Sequence, residues 1–205
     1  MTHRQRPKNR FYRWVRFLDR IQCFWHELAS KDYIEAAYGL ARSKAFKDIK
    51  VREKQTNVQF EGVHEDIVKF WKGMYKACKA RNIPVIAFEM LRSPERQDEL
   101  YKAGRSKARG YQSPHQFGMA VDIVHATDYW KITKKQWDII GSIGFEVARK
   151  KKIDIEWGGK WKFYDPAHWQ IKNWREVIEQ DEQKNVEVPW ANEMEPKESR
   201  ESFLR

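Results

Sequence analysis

Two short segments of this 205-residue chain carry histidines and carboxylates at spacings that suit a single metal ion. The first contains His115 and Asp122, and the second contains Asp165 and His168. An open catalytic zinc site has three protein ligands and a water, and His115, Asp122 and His168 would supply two imidazoles and one carboxylate. Asp165 is then left over as a base. The chain must therefore fold so that two distant segments converge on one centre.

The residues between the first two predicted ligands allow this convergence. Side chains of residues 120–124 alternate between the faces of a predicted strand, which places a small alanine on the same face as Asp122. Gly118 lies between His115 and Asp122 and permits a turn or a bulge. The two ligands therefore need not point to opposite faces, although they are seven positions apart, which is an odd number.

The second segment has the sequence Asp-Pro-Ala-His. Pro166 disfavours helical backbone at Asp165 and lacks an N–H group, so we predict a tight loop that presents Asp165 and His168 to one centre. The helical zinc motif His-Glu-x-x-His does not occur in the sequence.

These motifs resemble the zinc peptidoglycan peptidases of the D-Ala-D-Ala carboxypeptidase and L-alanyl-D-glutamate endopeptidase family. The resemblance rests on Ser-x-His-x-x-Gly-x-Ala-x-Asp at residues 113–122, followed by Asp-x-x-His at residues 165–168. Upstream, residues 92–105 are similar to the family's substrate-binding segment. Downstream, Glu-Trp-Gly-Gly-Lys-Trp at residues 156–161 precedes Asp165 as it does in phage endolysins of this type. The resemblance extends over residues 61–175.

The resemblance implies one Zn²⁺ per chain and hydrolysis of amide bonds in peptidoglycan stem peptides. Because the catalytic acid is Asp165 and a Trp-Gly-Gly stretch is present, the chain is similar to the endolysin branch, which cuts between L-Ala and D-Glu. The alternatives are a D-Ala-D-Ala carboxypeptidase and a zinc-containing binding module without catalysis. Intact Asp165, Arg92 and ligands favour the enzyme.

Each remaining site residue has a predicted role, and Ser113 and Gln97 also have a plainer alternative. Asp165 would take a proton from water and return it to the leaving amine. The planar fork of Arg92 suits either the tetrahedral oxyanion or a substrate carboxylate. Ser113 and Gln97 are predicted to hydrogen-bond substrate, but Ser113 would otherwise cap a turn and Gln97 would lie on a solvated helix face. Trp161 is predicted to contact substrate in the groove.

Hydrophobic periodicity and capping residues predict an α+β fold with a small antiparallel sheet that carries the zinc on one face and is flanked by helices. Helices are predicted at residues 62–81, 93–104 and 133–144, and strands at residues 85–91, 120–124, 153–157 and 168–171. We predict three parts: a basic helical N-terminal extension (residues 1–60), a zinc peptidase domain (61–178) and an acidic, flexible tail (179–205).

The N-terminal extension carries an apolar stripe at helical spacing, formed by Phe11, Trp14, Leu18, Ile21, Trp25 and Leu28. The stripe is predicted to pack on the catalytic domain or on a second helix near residues 33–46. Alternatives are an anionic membrane or envelope surface, a partner protein, and self-association. The N-terminal 60 residues hold 14 Lys and Arg against 6 Asp and Glu.

A net charge of +11 and a pI near 9.6 predict attraction to polyanions, among which cell-wall polymers and anionic lipids are favoured over nucleic acid. We found no nucleic-acid-binding fingerprint, although ten tryptophans and many arginines keep that alternative open. The two cysteines, Cys23 and Cys78, are expected to be free thiols. The sequence contains neither a transmembrane stretch nor a secretory signal, so we expect a protein that is made in the cytoplasm and acts on the wall after release. We also expect the protein to be a monomer.

Overall fold

The computed structural model of the chain describes residues 31–183, and its centre is a four-stranded antiparallel sheet. The strands are β1 (Val85–Glu89), β2 (Ala120–His125), β3 (Ile155–Trp157) and β4 (His168–Ile171), and they lie in the order β1-β2-β4-β3. The helices around the sheet are α1 (Lys31–Leu40), α2 (Ile49–Thr56), α3 (Glu65–Ala80), α4 (Pro94–Lys102), α5 (Lys134–Lys151) and α6 (Trp174–Gln183). The α+β class with a small antiparallel sheet is confirmed.

Helix α3 shows why the sequence pattern and the structure agree. The Nδ1 atom of His64 accepts a hydrogen bond from the backbone N–H of Asp66 at 3.2 Å and so caps the first turn. One face of the helix is buried against α5 and β1, and this face is formed by Ile67, Phe70, Trp71, Met74 and Cys78. Asn82 follows in the left-handed region, with φ of 59°, and ends the helix.

The prediction for α5 was wrong at its C-terminal end. The sequence predicted that the helix would stop at Gly144, but it continues to Lys151, and Lys152 at φ of 58° follows it. Gly141 and Gly144 have a packing role instead, because a Cβ at either position would collide with the indole ring of Trp157 or of Trp169. These two rings stack on each other, with centroids 5.5 Å apart.

Residues 31–56 pack directly on the sheet and on α5. Helix α1 lies against α5, and the Leu40 carbonyl accepts a hydrogen bond from Nε2 of His125 in β2 at 3.1 Å. Gln55 in α2 is buried and donates from Nε2 to the Val85 carbonyl of β1 at 3.0 Å. Helices α1 and α2 are therefore hydrogen-bonded to the same sheet that positions the predicted ligands.

Several predictions fall outside the described residues. The apolar stripe between Phe11 and Leu28 lies there, and so does most of the acidic tail. The first residues of the predicted tail, from 179 to 183, belong to helix α6. Among residues 31–183, no helix is long and apolar enough to cross a membrane.

Candidate active site

The three predicted metal ligands come from three elements that meet on one face of the sheet. His115 lies in a short 3-10 helix, Pro114–Phe117, and Gly118 ends this helix with φ of 66°. Asp122 lies in β2, directly opposite His168, the first residue of β4. The left-handed turn at Gly118 is the turn that the sequence predicted, and it brings His115 to the same face as the other two residues.

The ligand atoms form a nearly equilateral triangle. Nε2 of His115 is 3.2 Å from Nδ1 of His168 and 3.3 Å from Oδ1 of Asp122, and the third side, between His168 and Asp122, is 3.2 Å. A tetrahedral zinc ion with bonds of about 2.0 to 2.1 Å needs ligand atoms about 3.3 Å apart. The triangle therefore has the size of one face of a zinc tetrahedron.

Hydrogen bonds on the far side of each imidazole fix its tautomer. Nδ1 of His115 donates to the Met90 carbonyl at 3.0 Å, so Nε2 carries the lone pair. Nε2 of His168 lies 2.9 Å from Oε1 of Gln170, which can only accept, so Nδ1 of His168 carries the lone pair. Two imidazole lone pairs and one carboxylate oxygen thus face each other at close range. Such acceptors repel one another unless a proton or a metal ion lies between them, so these residues fit a bound metal ion.

The pKa values of Asp122 and His168 also fit a bound cation. Burial works against the ionised form of Asp122, but the two imidazoles, above all His115, hold the pKa of its carboxyl well below the usual range. Burial would lower the pKa of His168, but the hydrogen bond and the charge of Asp122 raise it above 6.5. The pocket therefore keeps its carboxylate ionised and favours positive charge beside it.

Arg92, the predicted second stabiliser, is held firmly behind Asp122. Its Nη2 atom donates to Oδ2 of Asp122 at 3.2 Å and also to Oε2 of Glu89, which accepts a further hydrogen bond from Nε at 2.8 Å. Nη1 donates to Oε1 of Gln97 at 2.8 Å. The Arg92 side chain is only 9% exposed and lines the cavity. Its guanidinium therefore holds a predicted metal ligand as well as facing the site.

The structure corrects the alternative reading of Gln97. This side chain is fully buried in α4, whereas a solvated helix face was the plainer expectation. Its Oε1 accepts from Arg92, and its Nε2 donates to Oγ of Ser106 and to the Ala108 carbonyl, both at 2.7 Å. Gln97 thus contacts Arg92, which lines the cavity, and both ends of its own amide are hydrogen-bonded to other groups of the protein.

Asp165, the predicted base, borders the same cavity as the ligands. Burial and then the negative charge of Asp122 raise the pKa of its carboxyl above 3.8. The backbone N–H of His168 donates to the Asp165 carbonyl at 3.2 Å, which closes the tight loop that Pro166 predicted. A carboxylate with a raised pKa is a better proton acceptor near neutral pH, which suits a general base.

A cavity of about 680 Å³ opens over the ligands. Ser113, a buried residue, and Trp161 both line it. Ser113 precedes the 3-10 helix of His115, and its backbone N–H donates to Oε1 of Gln116 at 3.2 Å. The Trp161 ring lies 5.2 Å from the ring of His168. Their contact with substrate remains a prediction.

Sequence reasoning missed the groups that orient the ligands. Glu156 accepts hydrogen bonds from Nε2 of Gln170 at 3.0 Å and from Nε1 of Trp161 at 2.9 Å, so it fixes both the glutamine that meets His168 and the predicted groove tryptophan. The role of Glu156 could have been suspected from the sequence, because Glu156 is the first residue of the Glu-Trp-Gly-Gly motif. Glu89 gave no such signal, because its role depends on the fold around Arg92.

Comparisons with known proteins agree with the motifs. A family model described as D-alanyl-D-alanine carboxypeptidase matches residues 106–171. The chain is 34% identical over 126 residues to the peptidoglycan L-alanyl-D-glutamate endopeptidase CwlK of Bacillus subtilis (strain 168), and the match covers 51% of this chain and 71% of that protein. It is also 30% identical to the L-Ala D-Glu endopeptidase ChiX of Serratia marcescens. The superposition on the crystal structure of ChiX has a TM-score of 0.47 and covers 60% of this chain and 87% of the ChiX chain. The identity to CwlK over most of its length shows that the chain belongs to the M15 family of peptidases, which confirms the resemblance read from the motifs.

Proposed function

We propose that this protein is a zinc-dependent peptidoglycan endopeptidase that cuts the bond between L-Ala and D-Glu in the stem peptide. The observation that carries the proposal is the triangle of His115, Asp122 and His168 at zinc spacing, with Asp165 as a separate carboxylate in the same cavity. The names of the relatives CwlK and ChiX support the choice of bond.

The residues of the site divide the chemistry among themselves. Zinc held by the three ligands would lower the pKa of a bound water to about 7 and polarise the scissile carbonyl. Asp165 accepts the proton of the attacking water and returns it to the leaving amine, because its raised pKa suits both steps. Arg92 holds Oδ2 of Asp122, which leaves Oδ1 directed at the two imidazoles.

The charge of the cavity rim suits an acidic peptide. The exposed side chains of Arg105, Lys107 and Arg175 line the cavity. A stem peptide that contains D-Glu carries free carboxylates, and such groups are attracted to a cationic rim. The substrate class therefore agrees with both the chemistry and the electrostatics of the site.

Mass spectrometry of muropeptides tests the proposal. Purified zinc-loaded protein is incubated with isolated peptidoglycan beside a chelated sample and beside Asp165→Asn. We expect new fragments that end in L-Ala or begin with D-Glu, and we expect neither control to produce them.

Two other outcomes would reject the proposal. Loss of terminal D-Ala without internal cleavage would assign the chain to the carboxypeptidases. Unchanged muropeptides with a folded, zinc-loaded protein would indicate a binding module.

A further inference from the structure

Two exposed aromatic side chains, Phe88 and Trp130, form a cluster with the half-buried Tyr129 beside the active site. The rings of Phe88 and Trp130 meet edge to face at 4.7 Å, and Tyr129 stacks beside Trp130 at 6.5 Å with an interplanar angle of 16°. Phe88 is 50% exposed and Trp130 is 44% exposed. Apolar rings that remain together on a surface commonly mark a binding site. We call Phe88 and Trp130 the aromatic shelf.

The shelf belongs to the catalytic cavity, because Phe88 and Trp130 both line it. Its place along the cavity follows from the strand register. Asp122 pairs with His168 in antiparallel strands, so the chain beyond the end of β2 and the chain beyond the end of β4 lie at opposite ends of the sheet. Trp130 follows β2, whereas Arg175 follows β4. Phe88 directly precedes Glu89, which pairs with Asp122, so the shelf borders the ligands from the β1 side of the sheet. The cationic side chain of Arg175 lies beyond the end of β4.

The cationic end differs in chemistry from the shelf. The guanidinium of Arg175 lies 4.2 Å from the ring centroid of Trp174, which also lines the cavity. Among the carboxylates whose side chains the structure describes, none forms an ion pair with Arg175, so its charge is available to a ligand. This end suits the anionic part of a substrate.

The substrate has the same asymmetry, and here the inference rests on the proposed function. On one side of the bond between L-Ala and D-Glu, the peptide continues and carries carboxylates. On the other side there is only L-Ala and then the muramic acid of the glycan. Because one extended residue spans roughly 3.3 to 3.6 Å, the sugar must lie close to the ligands when the bond is in place.

We propose that the aromatic shelf of Phe88 and Trp130 binds the muramic acid ring of the glycan strand, while the stem peptide runs toward Arg175. The C–H groups on one face of a sugar ring pack against the face of an aromatic ring, and Trp offers the largest such face. The proposal assigns a sugar subsite to the cavity and a direction to the bound substrate.

Calorimetry with zinc-loaded Asp165→Asn protein tests the shelf without turnover. Two ligands are compared: a disaccharide carrying L-Ala-D-Glu on its muramic acid, and acetyl-L-Ala-D-Glu, which lacks the sugars. The readout is the ratio of the two dissociation constants. We expect the added Trp130→Ala substitution to reduce the advantage of the sugar ligand about fivefold, the scale of one lost aromatic contact. Phe88→Ala should act in the same direction, and Trp130→Tyr should preserve most of the advantage.

Tyr38→Ala is the matched control, because Tyr38 is 52% exposed and does not line the cavity. A disaccharide that adds no affinity in the parent protein would overturn the proposal, as would a Trp130→Ala substitution that weakens both ligands equally. Because binding is measured without cleavage, failure of the shelf is distinguishable from failure of the proposed reaction, which the muropeptide analysis decides.

Discussion

Arg92 and Asp122 are joined by a hydrogen bond of 3.2 Å that reaches the carboxylate from the side opposite the imidazoles. Oδ2 of Asp122 accepts from Arg92, while Oδ1 lies within 3.3 Å of both ligand nitrogens. The arginine therefore sets the orientation of a metal ligand, and groups in this position are important for metal affinity.

We expect Arg92→Gln to weaken zinc binding by about 10- to 100-fold, as loss of such an outer contact usually does. Competition with a chelator measures the affinity. Arg81→Gln is the control, because Arg81 forms a similarly buried ion pair with Glu146 at 2.8 Å but does not line the cavity. Zinc binding at the wild-type level together with a reduced kcat would instead assign Arg92 to the oxyanion.

Asp165→Asn should lower kcat by about 10²- to 10⁴-fold, because the amide cannot accept the proton. Zinc content should stay at the wild-type level, since Asp165 is not part of the ligand triangle. Steady-state kinetics and metal analysis of the dialysed protein check the two expectations. Asp154→Asn, on an exposed residue paired with Lys172, should leave both quantities unchanged. Loss of zinc from Asp165→Asn would show that Asp165 is itself a ligand.

Gly118→Ala should destabilise the protein and disturb the metal site together. The backbone has φ of 66°, and an added Cβ would collide with the Gly62 carbonyl and lie 2.9 Å from Cα of Val63. We expect the free energy of unfolding to fall by roughly 1 to 3 kcal/mol, with weaker zinc binding because His115 shifts relative to Asp122.

Gly104→Ala separates the two causes, because Gly104 has φ of 68° but no atom within 4 Å of an added Cβ. Urea unfolding of both variants gives the comparison. Equal losses would mean that the contact with Gly62 adds nothing to the cost of the backbone angle.

His125 should make stability depend on pH below neutrality. Burial lowers the pKa of His125 below 6.5, and this effect outweighs the nearby charge of Asp128. The unfolded chain then binds the proton more readily than the folded protein. The contribution is fully present above about pH 6.5 and is lost as the pH falls toward the folded pKa.

We therefore expect the free energy of unfolding of His125→Gln to fall less between about pH 7 and pH 5 than that of the wild type. Urea titrations at several pH values measure the free energy of unfolding of both proteins. In the difference between the two values, the contributions of the other titrating groups cancel. His64→Gln, at the cap of α3, is the control. An identical pH dependence for wild type and His125→Gln would contradict the assignment.

The sequence predicted those parts of the site that depend on local chemistry. Gly118 determines the turn between His115 and Asp122, and Pro166 determines the loop that leads to His168. The convergence of the ligands could therefore be predicted from neighbouring residues. The burial of Gln97 could not be predicted, because its partners come from another loop. Gly144 was misread for the same reason: its neighbour Trp169 is distant in sequence.

The contact between His125 and Leu40 has a mechanical consequence. His125 lies in the same strand as Asp122, three residues away, and its buried ring connects that strand to the end of α1. Helix α1 does not line the cavity, so a force applied at Lys31 reaches the sheet through this contact and not through the walls of the cavity.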